Sequence, residues 1–407
     1  MIETASDLLW QLLVDGPVLV VMILLVGVFL FFGTLNLLLA IRFRPTPASP
    51  SLPNPERVAI LVPVRDDVSI FNSLPYLRAI EYPDYEVIVI DDSRDSAFRD
   101  RLDAIAGGQF RILRRPLTSG RKGAAINFAL QDLARRPPRF VVILDADHRP
   151  PPDFLARAVT AIEQTRAHCV CGYQKHDVGS HGLFGLFYRA GQAAGIRNLK
   201  ARYDLGFGAF FGGAAAIFEY DWLRERGFDE TSITEDWELS LRSYADGDFR
   251  IVIREDLWVS AAVPKHVGWL VRQTFRWTAG TTRDFRKHVR RLLRARLPIA
   301  TKVGLCYHGL FGLQNPAFLL FWVVLPLLFP DRLPLLPFLA IFGFLGFAWG
   351  WPLYRGSKFE GYTLRQAAAA LLYSFGVAYV LAPVGAYAFA LGLVRDSSFW
   401  KVTKRRG

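Results

Sequence analysis

The chain has 407 residues, 52% of them hydrophobic, and a net charge of +12. That length exceeds one ordinary domain, and so apolar a composition leans toward the membrane class and away from a wholly soluble protein. Three cysteines exclude a disulfide scaffold and fit a reducing compartment; Cys169 and Cys171 stand too close for a common zinc pair, lack a matching second pair, and read as small core residues. The positive charge suits nucleic acid, anionic lipid or a diphosphate ligand, and the placement of the basic residues has to choose.

Residues 17–41 are apolar apart from small or mildly polar Gly27, Gly33, Thr34 and Asn36. At about 1.5 Å per helical residue, roughly 20 residues cross a hydrocarbon core, so residues 1–43 are expected to hold a transmembrane helix. Glu3, Asp7 and Asp15 precede the run without a basic region, which argues against a cleaved signal peptide. Arg42 and Arg44 on its far flank place that side in the cytoplasm and the amino terminus outside. Residues 44–56 are rich in proline with Ser and Thr, a composition that prefers extended structure and reads as a linker.

From 57 to 264 apolar runs alternate with helical patterns: VAILVPV at 58–64, YEVIVID at 85–91, FRIL at 110–113 and FVVILD at 140–145. This is the βαβ rhythm of a doubly wound sheet, in which ligands collect at the carboxyl ends of strands. Those ends are acidic: Asp66 and Asp67, then Asp91, Asp92 and Asp95, then Asp145 and Asp147. Alternation along an extended segment would point Asp145 and Asp147 to one side, where a divalent cation relieves their repulsion. A plain surface Asp-Ala-Asp turn stays open as the rival.

Four further clusters surround that pair. Gly120-Arg121-Lys122-Gly123-Ala124-Ala125-Ile126-Asn127 opens a helix with small residues and two cations, which suits a phosphate. Thr234-Glu235-Asp236-Trp237 opens a helix over 235–245; Thr234 resembles an N-cap, and the carboxylates serve either the helix dipole or proton abstraction. Phe210-Phe211-Gly212-Gly213-Ala214 alternates rings with residues that let another molecule approach the backbone, or simply pack the core. On a helix Gln273, Arg276 and Trp277 share a face; an indole suits a sugar ring and a guanidinium suits a diphosphate, while an interface-anchoring Trp is the alternative.

Residues 265–296 look helical, and the second half carries Arg283, Arg286, Lys287, Arg290, Arg291, Arg294 and Arg296 among Phe285, Val289, Leu292 and Leu293. This basic amphipathic helix fits an anionic membrane surface better than nucleic acid, with a solvated charged face as the bland alternative. Residues 301–354 are nearly all apolar, 355–365 form a basic loop, 366–394 could span again, and 395–407 are basic. Three carboxy-terminal spans would leave that tail outside, whereas its charges ask for the cytoplasm. The expectation is that part of 303–313 is interfacial and that one later segment is re-entrant or tilted.

In this order and spacing the clusters resemble the processive branch of glycosyltransferase family 2, the membrane-embedded group of cellulose, mannan and hyaluronan synthases and some glycolipid synthases. The likeness covers residues 58 to about 287 plus the tail. It implies an α/β fold: a cytosolic GT-A domain with a Rossmann-like mixed sheet at 57–264, amphipathic interface helices at 265–300, transmembrane helices at 301–394 and a gating-like tail at 395–407. By that resemblance Asp91 or Asp92 holds the nucleotide, Asp145 and Asp147 bind Mg2+ or Mn2+ on the donor diphosphate, and Asp236 is the catalytic base. Lys122 and Arg276 also bind the donor, a UDP-sugar or GDP-sugar, while Phe210, Phe211, Gly212, Gly213, Glu235, Gln273 and Trp277 line the acceptor. Thr403 and Lys404, within Phe399-Trp400-Lys401-Val402-Thr403-Lys404-Arg405, are similar to the segment that closes over the donor. Lys122 is followed directly by Gly123, and a glycine stands at 212 where a small polar or sulfur residue is sometimes found; both depart from the common pattern. The implied activity is inverting transfer of a hexose onto a growing β-linked glucan or mannan. The alternative is transfer to a diacylglycerol or ceramide-type lipid. The implied partners are nucleotide sugar, acceptor and membrane lipids, with no nucleic acid, in a cell inner or plasma membrane.

Overall fold

The computed structural model describes residues 16–47, 55–116, 120–179, 182–329 and 335–395. A seven-stranded sheet is built from β1 (Val58–Val64), β2 (Tyr85–Asp91), β3 (Phe110–Arg114), β4 (Phe140–Ile143), β5 (Cys169–Val178), β6 (Ala216–Glu219) and β7 (Ile251–Ala262), in the order β3-β2-β1-β4-β6-β5-β7. The four strands read from sequence are parallel neighbours; β6 runs antiparallel between β4 and β5, which makes the sheet mixed. Cys169 and Cys171 are buried on β5.

The apolar runs are continuous because both sheet faces are covered. Val58, Ile60, Val62, Val87 and Val89 face one core; Ala59, Leu61, Ile88, Ile90 and Ile143 face the other. Helices α1 (Gly16–Arg42), α2 (Ser69–Arg78), α3 (Ser96–Asp103), α4 (Lys122–Asp132), α5 (Phe154–Thr165), α6 (Leu183–Asp204), α7 (Tyr220–Arg226) and α8 (Glu235–Ala245) alternate with or follow the strands. Leu74 of α2 and Leu155 of α5 fill the first core, Ile126 of α4 and Trp237 of α8 the second.

Next comes α9 (Val267–Arg294), then α10 (Ile299–Gly309). Most of the apolar stripe in the basic half of α9 turns inward: Phe285 and Leu292 sit in the second core together with Leu305 of α10, while Leu293 stays exposed. Its cations partly pair with the domain, Lys287 with Asp229 and Arg291 with Asp246, while Arg290 and Arg294 stay exposed. Amphipathicity shows that one side is covered and leaves the covering open.

Three apolar helices follow: α11 (Phe311–Leu328), α12 (Leu335–Phe359) and α13 (Leu364–Val394). Among the described residues α1, α11 and α13 are long and apolar enough to cross a membrane. Pro326 has no N–H for the Trp322 carbonyl, and α11 loosens to a π turn over Leu320–Val324. Met22, Leu25 and Phe29 of α1 pack on Ala317, Phe321 and Leu325 of α11, with Ile341 and Leu345 of α12 against them. The α1 and α12 helices run parallel: a Cβ on Gly33 would lie 2.8 Å from the Phe344 ring, and the Asn36 amide donates to the Ala348 carbonyl at 2.9 Å. That bond and one from Asn198 satisfy a polar group that lipid could not.

The α13 helix behaves differently. Just before it, the Glu360 carboxylate accepts the Tyr173 hydroxyl at 2.9 Å, and Ala370 packs with Ala190 of α6. Val377 meets Leu270 of α9, and at the last turn a Cβ on Gly392 would lie 2.7 Å from the Ala279 carbonyl, also of α9. Both ends of this 31-residue helix therefore rest on the sheet domain and its flanking helices. Leu372, Tyr379, Val380 and Tyr387 remain exposed between them.

Candidate active site

β4 ends at Ile143, so Asp145 and Asp147 lie beyond the strand, in a turn. This replaces the extended alternation expected for them. The turn is closed by His148, whose backbone N–H donates to the Asp145 carbonyl at 3.0 Å and whose Nδ1 accepts the Asp145 N–H at 3.2 Å. Accepting at Nδ1 assigns the ring proton to Nε2, which lies 4.0 Å from the Asp145 carboxylate. Asp147 is buried and accepts from the Ala262 N–H at the end of β7, whereas the Asp145 side chain is 41% exposed.

Lys122, the first residue of α4, donates to Asp145 Oδ1 at 2.6 Å and to the Gly213 carbonyl at 2.8 Å. Burial pushes its pKa down, but Asp145 and Glu235 outweigh that and leave it above the ordinary value. Gly213 has φ +89°, a conformation open to glycine, and an added Cβ would lie 3.0 Å from Asp236 Oδ2. Through this one backbone position the glycine run, the β4 turn and the start of α8 meet.

Thr234 occupies the N-cap position of α8 but makes no cap hydrogen bond, contrary to its resemblance to a cap; its hydroxyl donates to Asp284 Oδ2 at 2.8 Å. Asp236 Oδ1 accepts the Trp237 N–H at 2.9 Å. Burial and then the adjacent Glu235 charge raise the Asp236 pKa from 3.8 to about 7, against the pull of Trp237, Lys122 and Arg276. A carboxylate held near neutrality and beside cations has the properties of a general base.

The aromatic run divides. Phe210 packs at 5.2 Å on the edge of Trp237 and at 4.0 Å on His308 of α10, next to Asp236. Phe211 is 1% exposed and packs on Phe218 in the core, where it serves the packing alternative. The space above Gly212 is open, and its carbonyl accepts the Gln174 amide. On α9, Gln273 Oε1 accepts the Tyr188 hydroxyl, Trp277 is 42% exposed, and Arg276 lies close enough to act on both Arg121 and Asp236. Sequence reasoning missed His308, Gly213's contact with Asp236 and Asp284. A lone histidine in an apolar stretch was the one available signal for the first.

At the β2 end Asp91 has no exposed side-chain surface: Oδ1 accepts the Ser93 N–H at 2.9 Å and Oδ2 accepts Arg114 Nε at 2.8 Å. Asp92 keeps 12% exposure and is held by Arg115, whose Nε donates to Oδ1 at 2.8 Å. Thr403 and Lys404 fall outside the described residues.

Among the described residues no group of three or more His, Cys, Asp or Glu could hold a metal ion. The Asp145–Asp147 turn fits a cation that arrives with its own oxygen ligands, because Mg2+ is commonly held by one or two carboxylates plus substrate phosphates.

Residues 69–227 match the family model described as Glycosyl transferase family 2. Glucomannan 4-beta-mannosyltransferase 2 of Arabidopsis thaliana is 25% identical over 289 residues, 66% of this chain and 54% of that protein. Probable glucomannan 4-beta-mannosyltransferase 1 of the same plant is 28% identical over 244 residues, 56% and 44% respectively. The chain thus spans about half the length of the curated relatives it matches. Among solved structures, the mannosyltransferase PcManGT from Pyrobaculum calidifontis in complex with GDP-Man and Mn2+ superposes with a TM-score of 0.58 at 21% identity, over 92% of this chain and 98% of that one. That likeness establishes the shared GT-A architecture.

Proposed function

We propose that this chain, whose residues 69–227 match the family 2 glycosyltransferase model, is a membrane-bound inverting hexosyltransferase that elongates a β-linked mannan or glucan from a nucleotide-diphosphate sugar. The observation that carries the proposal is the convergence of Lys122, Asp145, Gly213 and Asp236 at one point. Asp236 takes the proton from the acceptor hydroxyl as the new C1–O bond forms, and the electrons of the breaking C1–O bond pass to the leaving diphosphate. Lys122 and Arg276 add positive charge where that negative charge grows. A divalent cation bound at Asp145 and Asp147 would neutralise the same diphosphate. GDP-mannose is the first donor to test, since the curated relatives are named as mannosyltransferases and the superposed structure holds GDP-Man.

The membrane reading follows from α13. If α1, α11 and α12 cross while α13, itself long and apolar enough to cross, keeps both ends on the domain side, Arg395 emerges in the cytosol near Ala279 of α9. On this reading two carboxy-terminal spans, α11 and α12, would leave the basic tail in the cytosol.

A lipid acceptor is the second reading. It is favoured by the ring-on-ring packing of the three spans, Phe29 on Phe321 and Trp322 on Phe342, which suits a lipid-carried product better than a wide conduit. Purified protein incubated with radiolabelled GDP-mannose or UDP-glucose, Mn2+ and lipid extract, with organic-soluble and polymeric products separated, decides between them. Full turnover by Asp236→Asn would defeat both.

A further inference from the structure

The hydroxyls of Ser232 and Thr234 both donate to Oδ2 of Asp284, at 2.5 and 2.8 Å, and the Ser232 hydroxyl accepts the Thr234 N–H at 3.0 Å. All three residues are buried, Ser232 and Asp284 completely. Thr234 gives up the cap hydrogen bond that its position would allow in order to reach Asp284. The other Asp284 oxygen has no hydrogen-bond partner among the described residues, so the carboxylate is buried at a cost that an apolar contact would avoid.

The surroundings show what the carboxylate joins. Gly280, one turn before Asp284 on α9, permits the approach, because a Cβ there would lie 2.6 Å from the Thr234 hydroxyl. Further along the same contact, Trp237 Nε1 donates to the Thr281 carbonyl at 3.2 Å, and His288 Nε2 meets Glu238 Oε1 at 2.9 Å. The helix bearing Asp236 is thus fastened along α9, the helix that also bears Gln273, Arg276 and Trp277.

We infer that Asp284 is a positioning residue: by holding the Ser232 and Thr234 hydroxyls it fixes Asp236 relative to Arg276, so that the proton acceptor and the diphosphate-side cation share one rigid frame. The threonine that precedes Glu235 and Asp236 therefore acts as a tether to α9. The inference rests on the transferase reading above.

Steady-state kinetics of the full-length protein on GDP-mannose or UDP-glucose, whichever it turns over, test it. Since misplacement of about 1 Å can cost on the order of 100-fold, Asp284→Ala and Thr234→Val should each lower kcat about 30- to 100-fold with donor KM within about twofold. The double variant should be no worse than the poorer single one. Asp284→Asn, whose amide oxygen can accept both hydroxyls, should recover most of kcat. Parallel changes in donor KM, multiplying losses in the double variant, or an Asn as damaging as Ala would overturn the inference. Should Asp284→Ala fail to fold, Thr234→Ser against Thr234→Val carries the same test: serine keeps the tether and valine does not. An inactive Asp236→Asn beside a normal Thr234→Val would defeat this inference alone, whereas an active Asp236→Asn would defeat the transferase reading itself.

Discussion

Asp91 and Asp92 at the end of β2 and Asp145 and Asp147 after β4 flank the same central strand, β1, and look alike as acidic strand ends. Their partners separate them. At β2 the carboxylates meet Arg114, the last residue of β3, and Arg115 just after it; Arg114 bridges Asp91 and Asp103, and Arg115 grips Asp92. At β4 the partner of Asp145 is Lys122, a single ammonium on a flexible stem, and the carboxylate keeps 41% of its surface. The β2 end is a finished ion-pair network that shapes a wall. The β4 end keeps an exposed carboxylate, which the proposed function gives to the cation on the donor.

The contrast can be broken most directly at Asp145. Asp145→Asn should lower kcat by on the order of 1,000-fold with little change in melting temperature, because an exposed pair adds little to stability. Retained activity would place the cation elsewhere. Next in size, EDTA should suppress transfer about 100-fold or more, with restoration by Mn2+ or Mg2+ and no unfolding by circular dichroism, since Lys122 still faces Asp145 without the metal.

The third test concerns pH. Asp236 must be ionised to accept a proton and its pKa is raised to about 7, so kcat/KM should rise about tenfold per pH unit below that value and level off above it. Stability should move oppositely: a carboxyl whose folded pKa exceeds its unfolded one stabilises most at low pH, and that contribution is lost as pH rises through about 7. Asp284, also raised to about 7 by burial, adds to the same trend. A melting temperature that climbs from pH 6 to 8 would contradict both assignments. The smallest effect on chemistry is expected at the closed end. Arg115→Ala should leave kcat within about threefold while lowering stability by roughly 3 kcal/mol, the cost of stranding the buried Asp92 carboxylate.

Much was legible before the structure because it depends on period and local chemistry. The four apolar runs became four parallel strands, since a strand covered on both faces must be apolar throughout. Thr234-Glu235-Asp236 opened a helix at the expected residue. The failures share a cause: each concerned what a side chain touches across the fold. Phe210 and Phe211 are adjacent and identical in type, yet one lies beside Asp236 and the other in the core. The ion pairs of Asp91 and Asp92 with Arg114, the last residue of β3, and Arg115 just after it were likewise not legible in the sequence.

The sequence by itself determined the strands, the apolar helices and the clustering of Asp145 and Asp147 after a strand and of Asp236 at a helix start, because hydrophobic period and residue type act over a few positions. Tertiary structure decided which acidic end stays open, why Thr234 faces Asp284, and that α13 returns to the domain it leaves. Those outcomes depend on partners tens to hundreds of residues away, and no local pattern encodes which partner a buried polar group will find.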